Sequence, residues 1–355
     1  MNPVRLGVVG CGVIGNSHLA SALKIPESIR LVALADLIEE RMETAAAKYG
    51  APRKYRSGAE LIEKDPEVEM VVLAFPAATR TQEGLRALRH GKHLLTEKPV
   101  ACSAAEVRQL IAARGSLTTG CCQSRYSFCP HAEAAAKFVA TGALGDLRLV
   151  RARELRSAGG PPKNPPPTWR LRTCENGGGI LLYWGCYDLD YVLGLTGWTL
   201  RPTEVLAGTW QVPPMIASNV APDSDAETYF AAIIRCEGGV ILSFERGEYM
   251  PCASEDAWQI IGTKGSLRLK MTTGKGKTIW HDELTADKGV VSHALWQGDE
   301  DFSSGPVLLR DFAEAIRQKR QPRASLERAL VVQEISDAIY ASSRAGGAVK
   351  IAPPK

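Results

Sequence analysis

No stretch of the 355-residue chain approaches the ~18 uninterrupted apolar residues of a membrane span. The start, MNPVRLGVVGCGVIGNS, is too Gly-rich and its apolar run too short for the core of a secretory signal. Charge of one sign is scarce as well. The 43 Lys plus Arg stand against 39 Asp plus Glu, and a net charge of +4 makes no electrostatic footprint for nucleic acid or a membrane surface. The nine cysteines, at 11, 102, 121, 122, 129, 174, 186, 236 and 252, lack the even number and close spacing of a disulfide framework. Cys121, Cys122 and Cys129 form no C-x-x-C and no His pair supports them, so packing is their expected role and no metal site is expected. There is no internal repeat, and the one low-complexity patch, SAGGPPKNPPPTW, reads as a surface or active-site loop. These absences leave a cytoplasmic protein with reduced thiols, a small-molecule partner, no nucleic acid and no membrane. What is present fits: 45% hydrophobic and 23% charged residues are globular values, and at ~150 residues per domain the length implies two domains.

From residue 4 to about 121, β-branched runs alternate with segments of helical period. VRLGVV, RLVALAD, EVEMVVLAF, KHLLTEKP and SLTTGCC alternate with VIGNSHLASALK, LIEERMETAAAKYG, RTQEGLRALRHG and SAAEVRQLIAARG. Strand and helix taking turns predict a doubly wound α/β domain with a parallel sheet over residues 1–121. In 122–355 the rhythm changes. A helical stretch, HAEAAAKFVATG, precedes an extended run, LRLVRARELR, and a second helix is predicted at roughly 179–194. TEVLAGTWQV, AETYFAAIIRC, GVILSFERGEY, DAWQIIG and GSLRLKM then read as a largely antiparallel sheet. KGKTIWHDELTADKG reads as a solvated hairpin. Two closing helices, PVLLRDFAEAIRQKR and SLERALVVQEISDAIYASSRAGG, leave open whether the chain returns to the first domain.

Gly10, Gly12 and Gly15 form G-x-G-x-x-G between the first strand and the first helix. In that context Gly10 allows the tight turn, Gly12 the approach of a pyrophosphate to the helix amides, and Gly15 close packing of helix on strand. Val13 and Ile14, at the helix start, count with them as cofactor-binding positions. The alternative is a Gly-rich turn that binds nothing. Asp36 ends the second strand 21 residues after Gly15, near the ~20 expected of the acid that binds the adenosine ribose. Leu37 and Ile38 after it offer no cation for a 2′-phosphate, so NAD is favoured, with NADP not excluded. Alternatively, Asp36 caps a helix. In Glu97-Lys98-Pro99, at the carboxyl edge of the sheet, Lys98 would project into the ligand crevice, or be a surface Lys.

With GVVGCGVIG, TEKP, CQSRYSFCP, NGGGILLYWGCYDLD and QIIGTKGSLRL in this order, the chain resembles the glucose-fructose oxidoreductase, inositol dehydrogenase and related (Gfo/Idh/MocA) family of nicotinamide-dependent oxidoreductases. The resemblance covers essentially the whole chain. It implies a Rossmann domain plus a second α/β domain whose open, mainly antiparallel sheet often forms the oligomer interface, here of a homodimer or homotetramer. It also implies a catalytic Lys98 in EKP and, after the Gly-rich segment, a helix bearing D-x-x-x-H-x-x-D. Asp190 matches the final Asp, but Tyr183 replaces the first Asp and Tyr187 the His. Some members carry Tyr at the His position, whereas Tyr183 departs further and bears on polyol binding. By the same resemblance Glu97, Gln123, Arg125 and Pro76 fall near the cofactor, and Trp169 and Arg170 near the substrate, where a loop anchor is the alternative. The Asn and His that commonly accompany the Pro are Ala77 and Arg80 here.

At α-helical spacing Tyr183, Tyr187 and Asp190 share one side of the helix. A phenol, with an ordinary pKa near ~10, serves as a base only where a cation stabilises its phenolate. Lys98 can supply that charge, which makes Lys98 and Tyr187 one proton relay. The bland alternative is two packed helix aromatics. His18 and His131 read as solitary structural or surface residues. The expected activity is hydride transfer between NAD(H) and a secondary alcohol or ketone of a sugar, cyclitol or similar small polar substrate, or between an aldehyde and its acid-level partner. The tyrosines equally fit a less hydrophilic ring. The rivals are a catalytically inactive NAD-binding sensor and a redox-neutral NAD-dependent lyase or glycosidase.

Overall fold

The computed structural model describes residues 2–164, 166–299 and 302–351. The chain forms two compact units, Met1–Arg125 with Ser303–Val331, and Tyr126–Phe302 with Val332–Lys355.

The first unit runs β1 (Val4–Val9), α1 (Val13–Leu23), β2 (Ile29–Ala35), α2 (Glu39–Tyr49), β3 (Arg53–Tyr55), α3 (Gly58–Lys64), β4 (Met70–Leu73), α4 (Arg80–Arg89), β5 (His93–Thr96), α5 (Ala104–Ala113) and β6 (Thr119–Cys121). Its sheet has the order β3-β2-β1-β4-β5-β6 and every pairing is parallel. That is the dinucleotide-binding order, whose crevice lies at the carboxyl ends of β1 and β4. Helices on both faces bury β4 completely, which is why MVVL reads as an unbroken apolar run. β3 and α3 carry no sequence signal of that kind, since RKY is a half-exposed edge. Ser57 and Ser103 start α3 and α5 by accepting the N–H of Glu60 and Glu106 three residues on.

The second unit contains α6 (Pro130–Ala140), β7 (Leu147–Ser157), α7 (Thr173–Asn176), α8 (Cys186–Leu195), β8 (Pro202–Trp210), β9 (Tyr229–Cys236), β10 (Ile241–Met250), β11 (Glu255–Gly262), β12 (Gly265–Leu269), β13 (Lys277–Thr285) and β14 (Gly289–Gly298). The stretch 275–289, expected to be a hairpin by itself, is strand β13 and its turn, and the hairpin is completed by β14 beyond it, closed at Thr285 and Gly289. Three elements end the chain: α9 (Ser304–Gln318), α10 (Leu326–Ala345) and β15 (Val349–Lys350). The second sheet has the order β14-β13-β12-β11-β7-β10-β9-β8-β15. It is antiparallel except for β7 beside β10, whose register sets Glu154 next to Arg246. α9 packs in the first unit, beside α1. Among the described residues no helix is long and apolar enough to cross a membrane.

Candidate active site

The turn after β1 is built as the glycine pattern requires. Gly10 has φ +95°, and a Cβ there would lie 2.5 Å from the Ala74 carbonyl oxygen. A Cβ on Gly15 would fall 1.8 Å from the Gly10 carbonyl oxygen, so α1 can start this close to the strand only without a side chain. Gly12 is different, because its Cβ would meet nothing within 4 Å. Its side faces open space, as a pyrophosphate cradle must. The first helical bond of α1 runs from Asn16 N–H to the Gly12 carbonyl, which leaves the amides of 13–15 without intrahelical acceptors at the helix N-terminus. Val13 is exposed and Ile14 half-buried. Asp36 accepts Cys11 N–H at 2.6 Å and Ile38 N–H at 2.8 Å, which fixes its carboxylate beside the turn. These residues fit a bound dinucleotide.

The loop after β5 places Lys98, half-buried, at the carboxyl edge of the same sheet. Glu97 beneath it is buried. One carboxylate oxygen meets His18 Nε2 at 2.9 Å and Arg125 Nη2 at 3.1 Å, and the other accepts Lys98 N–H at 3.1 Å. Burial pushes the Glu97 carboxyl up, but Arg125, His18 and Lys98 outweigh it and hold the pKa well below the carboxylate range. His18 is therefore not solitary, as the sequence suggested. It is a buried partner of a residue 79 positions away. Cys122 Sγ lies 3.9 Å from His18 Nε2, and burial beside Glu97 raises its thiol pKa well above the ordinary value. His18, Glu97 and Cys122 have a ligand-like spacing. Arg125 already neutralises the one carboxylate, so the charge balance favours a hydrogen-bonded cluster over a divalent cation. Gln123 is buried and Pro76 half-buried.

In the second unit the helix signalled by NGGGILLYWGCYDLD begins irregularly. Gly177 closes α7 at φ +79°. A Cβ on Gly178 would meet the Tyr340 hydroxyl at 1.9 Å, and one on Gly179 the Glu227 carbonyl oxygen at 1.9 Å. The buried Glu227 carboxylate accepts Gly179 N–H at 2.9 Å, Leu181 N–H at 3.0 Å and the Tyr340 hydroxyl at 2.9 Å. The glycines thus let an anion and a phenol close over the first turn. Residues Leu181–Gly185 then form a π-helical turn that runs into α8. A step of four through a wide turn covers less arc than in an α-helix, so Tyr187 is rotated relative to Tyr183.

Tyr183 is half-buried, with the Arg170 guanidinium 4.5 Å above its ring. Arg170 is ion-paired to Glu248, and Trp169 is half-buried beside it with its carbonyl bonded to Asn176. Tyr187 is buried against Tyr126 at 5.3 Å and Trp184 at 5.5 Å, edge-on to both. Tyr126 and Trp184 lie nearly parallel, with centroids 6.5 Å apart. Asp190 is buried and accepts the Ser127 hydroxyl at 2.9 Å.

Asp188, which no sequence motif marks, is buried, receives Arg246 Nη1 at 2.6 Å and Trp258 Nε1 at 2.9 Å, and anchors the helix to the sheet. Burial raises its pKa, and Arg246 and Trp258 pull it part of the way back. Arg246 also pairs with Glu154 at 2.7 Å and lies 4.8 Å from the Trp184 ring. The predicted residues therefore assemble in two groups. Gly10, Gly12, Gly15, Asp36, Glu97, Lys98 and Arg125 stand in the first unit, and Trp169, Arg170, Tyr183, Tyr187 and Asp190 in the second.

Residues 4–118 match the family described as an oxidoreductase family with an NAD-binding Rossmann fold, and residues 132–268 match the GFO/IDH/MocA C-terminal domain. The chain is 33% identical over 270 residues to a trans-1,2-dihydrobenzene-1,2-diol dehydrogenase of Bos taurus, covering 75% of this chain and 74% of that one. Further relatives of that description match over about half their length. An oxidoreductase domain protein from Kribbella flavida superposes with a TM-score of 0.85 at 23% identity over 100% of both chains. An aldose-aldose oxidoreductase from Caulobacter crescentus does so at 0.82 and 24%, over 98% of this chain and 99% of that one. At these identities the superpositions speak for the fold.

Proposed function

We propose, from the premise that this chain belongs to the Gfo/Idh/MocA family of NAD-binding oxidoreductases, that it oxidises one carbinol of a small cyclic diol, cyclitol or sugar, or reduces the corresponding carbonyl. The observation that carries this reading is Lys98, set at the carboxyl edge of the dinucleotide-binding sheet on a loop whose Glu97 is already neutralised. Bound NAD supplies the hydride acceptor or donor. Lys98 orients the substrate oxygen and gives the cationic surroundings in which the Tyr187 phenol can ionise to the phenolate that accepts a proton. Tyr187 receives the hydroxyl proton as the carbinol C–H bond breaks, and returns it in the reverse direction. Gln123 and Arg125 would help to hold the nicotinamide. Asp190, Tyr183, Trp169 and Arg170 line the substrate side. The Tyr126–Trp184–Tyr187 group offers apolar ring faces and edges, which suit the C–H face of a ring better than an open-chain polyol.

The chain would work as a homodimer or homotetramer through the second sheet. Leu206 pairs with Ile233 across β8 and β9, and with Trp210 these are about half exposed. The chain would act in the cytoplasm, where its nine cysteines, none joined in a disulfide among the described residues, stay reduced. The test is titration with NADH and NADPH, followed by nicotinamide absorbance with trans-1,2-dihydrobenzene-1,2-diol, inositols and aldoses. Reduction of NAD by at least one of them is expected. Tight NAD binding with no net absorbance change across the panel would overturn the dehydrogenase reading, and glycoside cleavage without NADH would point to redox-neutral chemistry.

A further inference from the structure

Arg80 begins α4, yet it does not behave as a helix-surface arginine. It is 4% exposed, and among the described residues no carboxylate stands within ion-pair distance of it. Its guanidinium is bound by backbone carbonyls alone. Nε donates to Phe75 O at 2.9 Å and Nη2 to the same oxygen, while Nη1 donates to both Glu97 O and Pro99 O. The two latter carbonyls flank Lys98. The first belongs to the residue before Pro76, in the loop after β4. One planar fork therefore joins the two loops at the carboxyl edge of the sheet and grips the peptide on each side of Lys98.

A buried cation without a counter-ion costs several kcal/mol of desolvation unless hydrogen bonds compensate, so such a group is not retained for simple packing. Burial lowers the pKa of Arg80, and the Glu97 charge nearby opposes this. A Lys could not replace it, since a point-like ammonium lacks the fork that spans acceptors on two loops.

We propose that Arg80 is a positioning residue for hydride transfer: it fixes the backbone from which the Lys98 side chain reaches the substrate oxygen, and ties that backbone to the Pro76 loop. This rests on the reading of Lys98 given above. Arg80 touches neither substrate nor cofactor in this scheme and acts through Lys98.

The test is a double-mutant cycle on the full chain with NAD and trans-1,2-dihydrobenzene-1,2-diol, or whichever member of the substrate panel turns over. Arg80→Met should lower kcat by about 10²-fold, the cost of misplacing a catalytic group by ~1 Å, with KM and the NADH Kd within about threefold. In a Lys98→Ala background the same change should lower kcat by less than about threefold, because the group it positions is gone. Arg80→Lys should still lose about tenfold, and it carries the cycle if Arg80→Met does not fold. Equal losses with and without Lys98, or kcat of either single variant within threefold of wild type, would overturn the proposal. Should the wild-type protein bind NADH but turn over nothing, the dehydrogenase reading fails separately and hydrogen exchange decides. Faster exchange confined to residues 75–77 and 96–101 in the Arg80 variant supports the brace, and unchanged exchange there refutes it.

Discussion

Replacing Arg246 by Met tests how α8 is held on the second sheet. The guanidinium lies between Asp188 and Glu154, at 2.6 and 2.7 Å, with Trp184 against it. Glu154 keeps Arg156 as a second partner, so the loss falls on Asp188, left with the Trp258 indole N–H at 2.9 Å. Removing one partner of a buried pair costs about 3–5 kcal/mol. At roughly 2–4 °C per kcal/mol for a unit of this size, melting of the second unit should fall by about 10 °C. The pH dependence adds a sign. Burial already raises the Asp188 pKa, and removing the cation raises it further. An acid whose folded pKa lies above its unfolded value binds more protons in the native state, so it costs stability as pH rises through that window and costs less as pH falls. The gap between variant and wild type should therefore narrow from pH 8 to pH 5.5, and Asp188→Asn added to Arg246→Met should recover at least half of the loss. Tryptophan fluorescence melts of the three proteins at both pH values provide the assay. A loss under about 1 kcal/mol, or a gap that widens on acidification, would refute the reasoning.

Gly12→Ala should leave the melting temperature nearly unchanged, since its Cβ meets no atom within 4 Å, and yet weaken NADH binding by about tenfold or more in a fluorescence titration. Gly179→Ala, with its Cβ 1.9 Å from the Glu227 carbonyl oxygen, should cost about 3 kcal/mol or more in urea unfolding and should abolish turnover. Asp36→Ala should narrow the preference for NADH over NADPH, read as the ratio of their Kd values. The Glu97 carboxyl has its folded pKa depressed, so its stabilisation is present above the unfolded value near 4.5 and drains as pH falls. Between pH 5 and pH 3 the urea midpoint of wild type should fall further than that of Glu97→Gln.

The first unit was legible because its strands are buried on both faces and its glycines answer to close backbone contacts, both of which leave marks in consecutive residues. β3 was not, because a polar three-residue edge strand carries no apolar period, and α3 is only seven residues long, marked by the Ser57 cap and a single buried pair, Leu61 and Ile62. The long-range side-chain pairs escaped for another reason. His18 meets Glu97 across 79 positions and Arg246 meets Asp188 across 58, and neither pairing has a local signature. For His18 a signal existed, since it stands one helical turn after Gly15 on the side of α1 that packs against the sheet. Arg80 was noticed as a departure from the resemblance, but its burial was not readable. Tyr183, Tyr187 and Asp190 come from the family resemblance, and helical spacing adds only their shared face. The π turn between the tyrosines breaks the 3.6-residue period on which their shared face was inferred.

The proposed proton relay of Lys98 and Tyr187 is tested most directly by single-turnover hydride transfer, followed through nicotinamide absorbance with a ring diol and its deuterated analogue. Lys98→Met should slow the transfer by about 10³-fold and Tyr187→Phe by about 10²-fold, with NADH binding intact. In the double variant the two losses should not multiply. Transfer within a few-fold of wild type in either single variant, with the isotope effect unchanged, would contradict the relay.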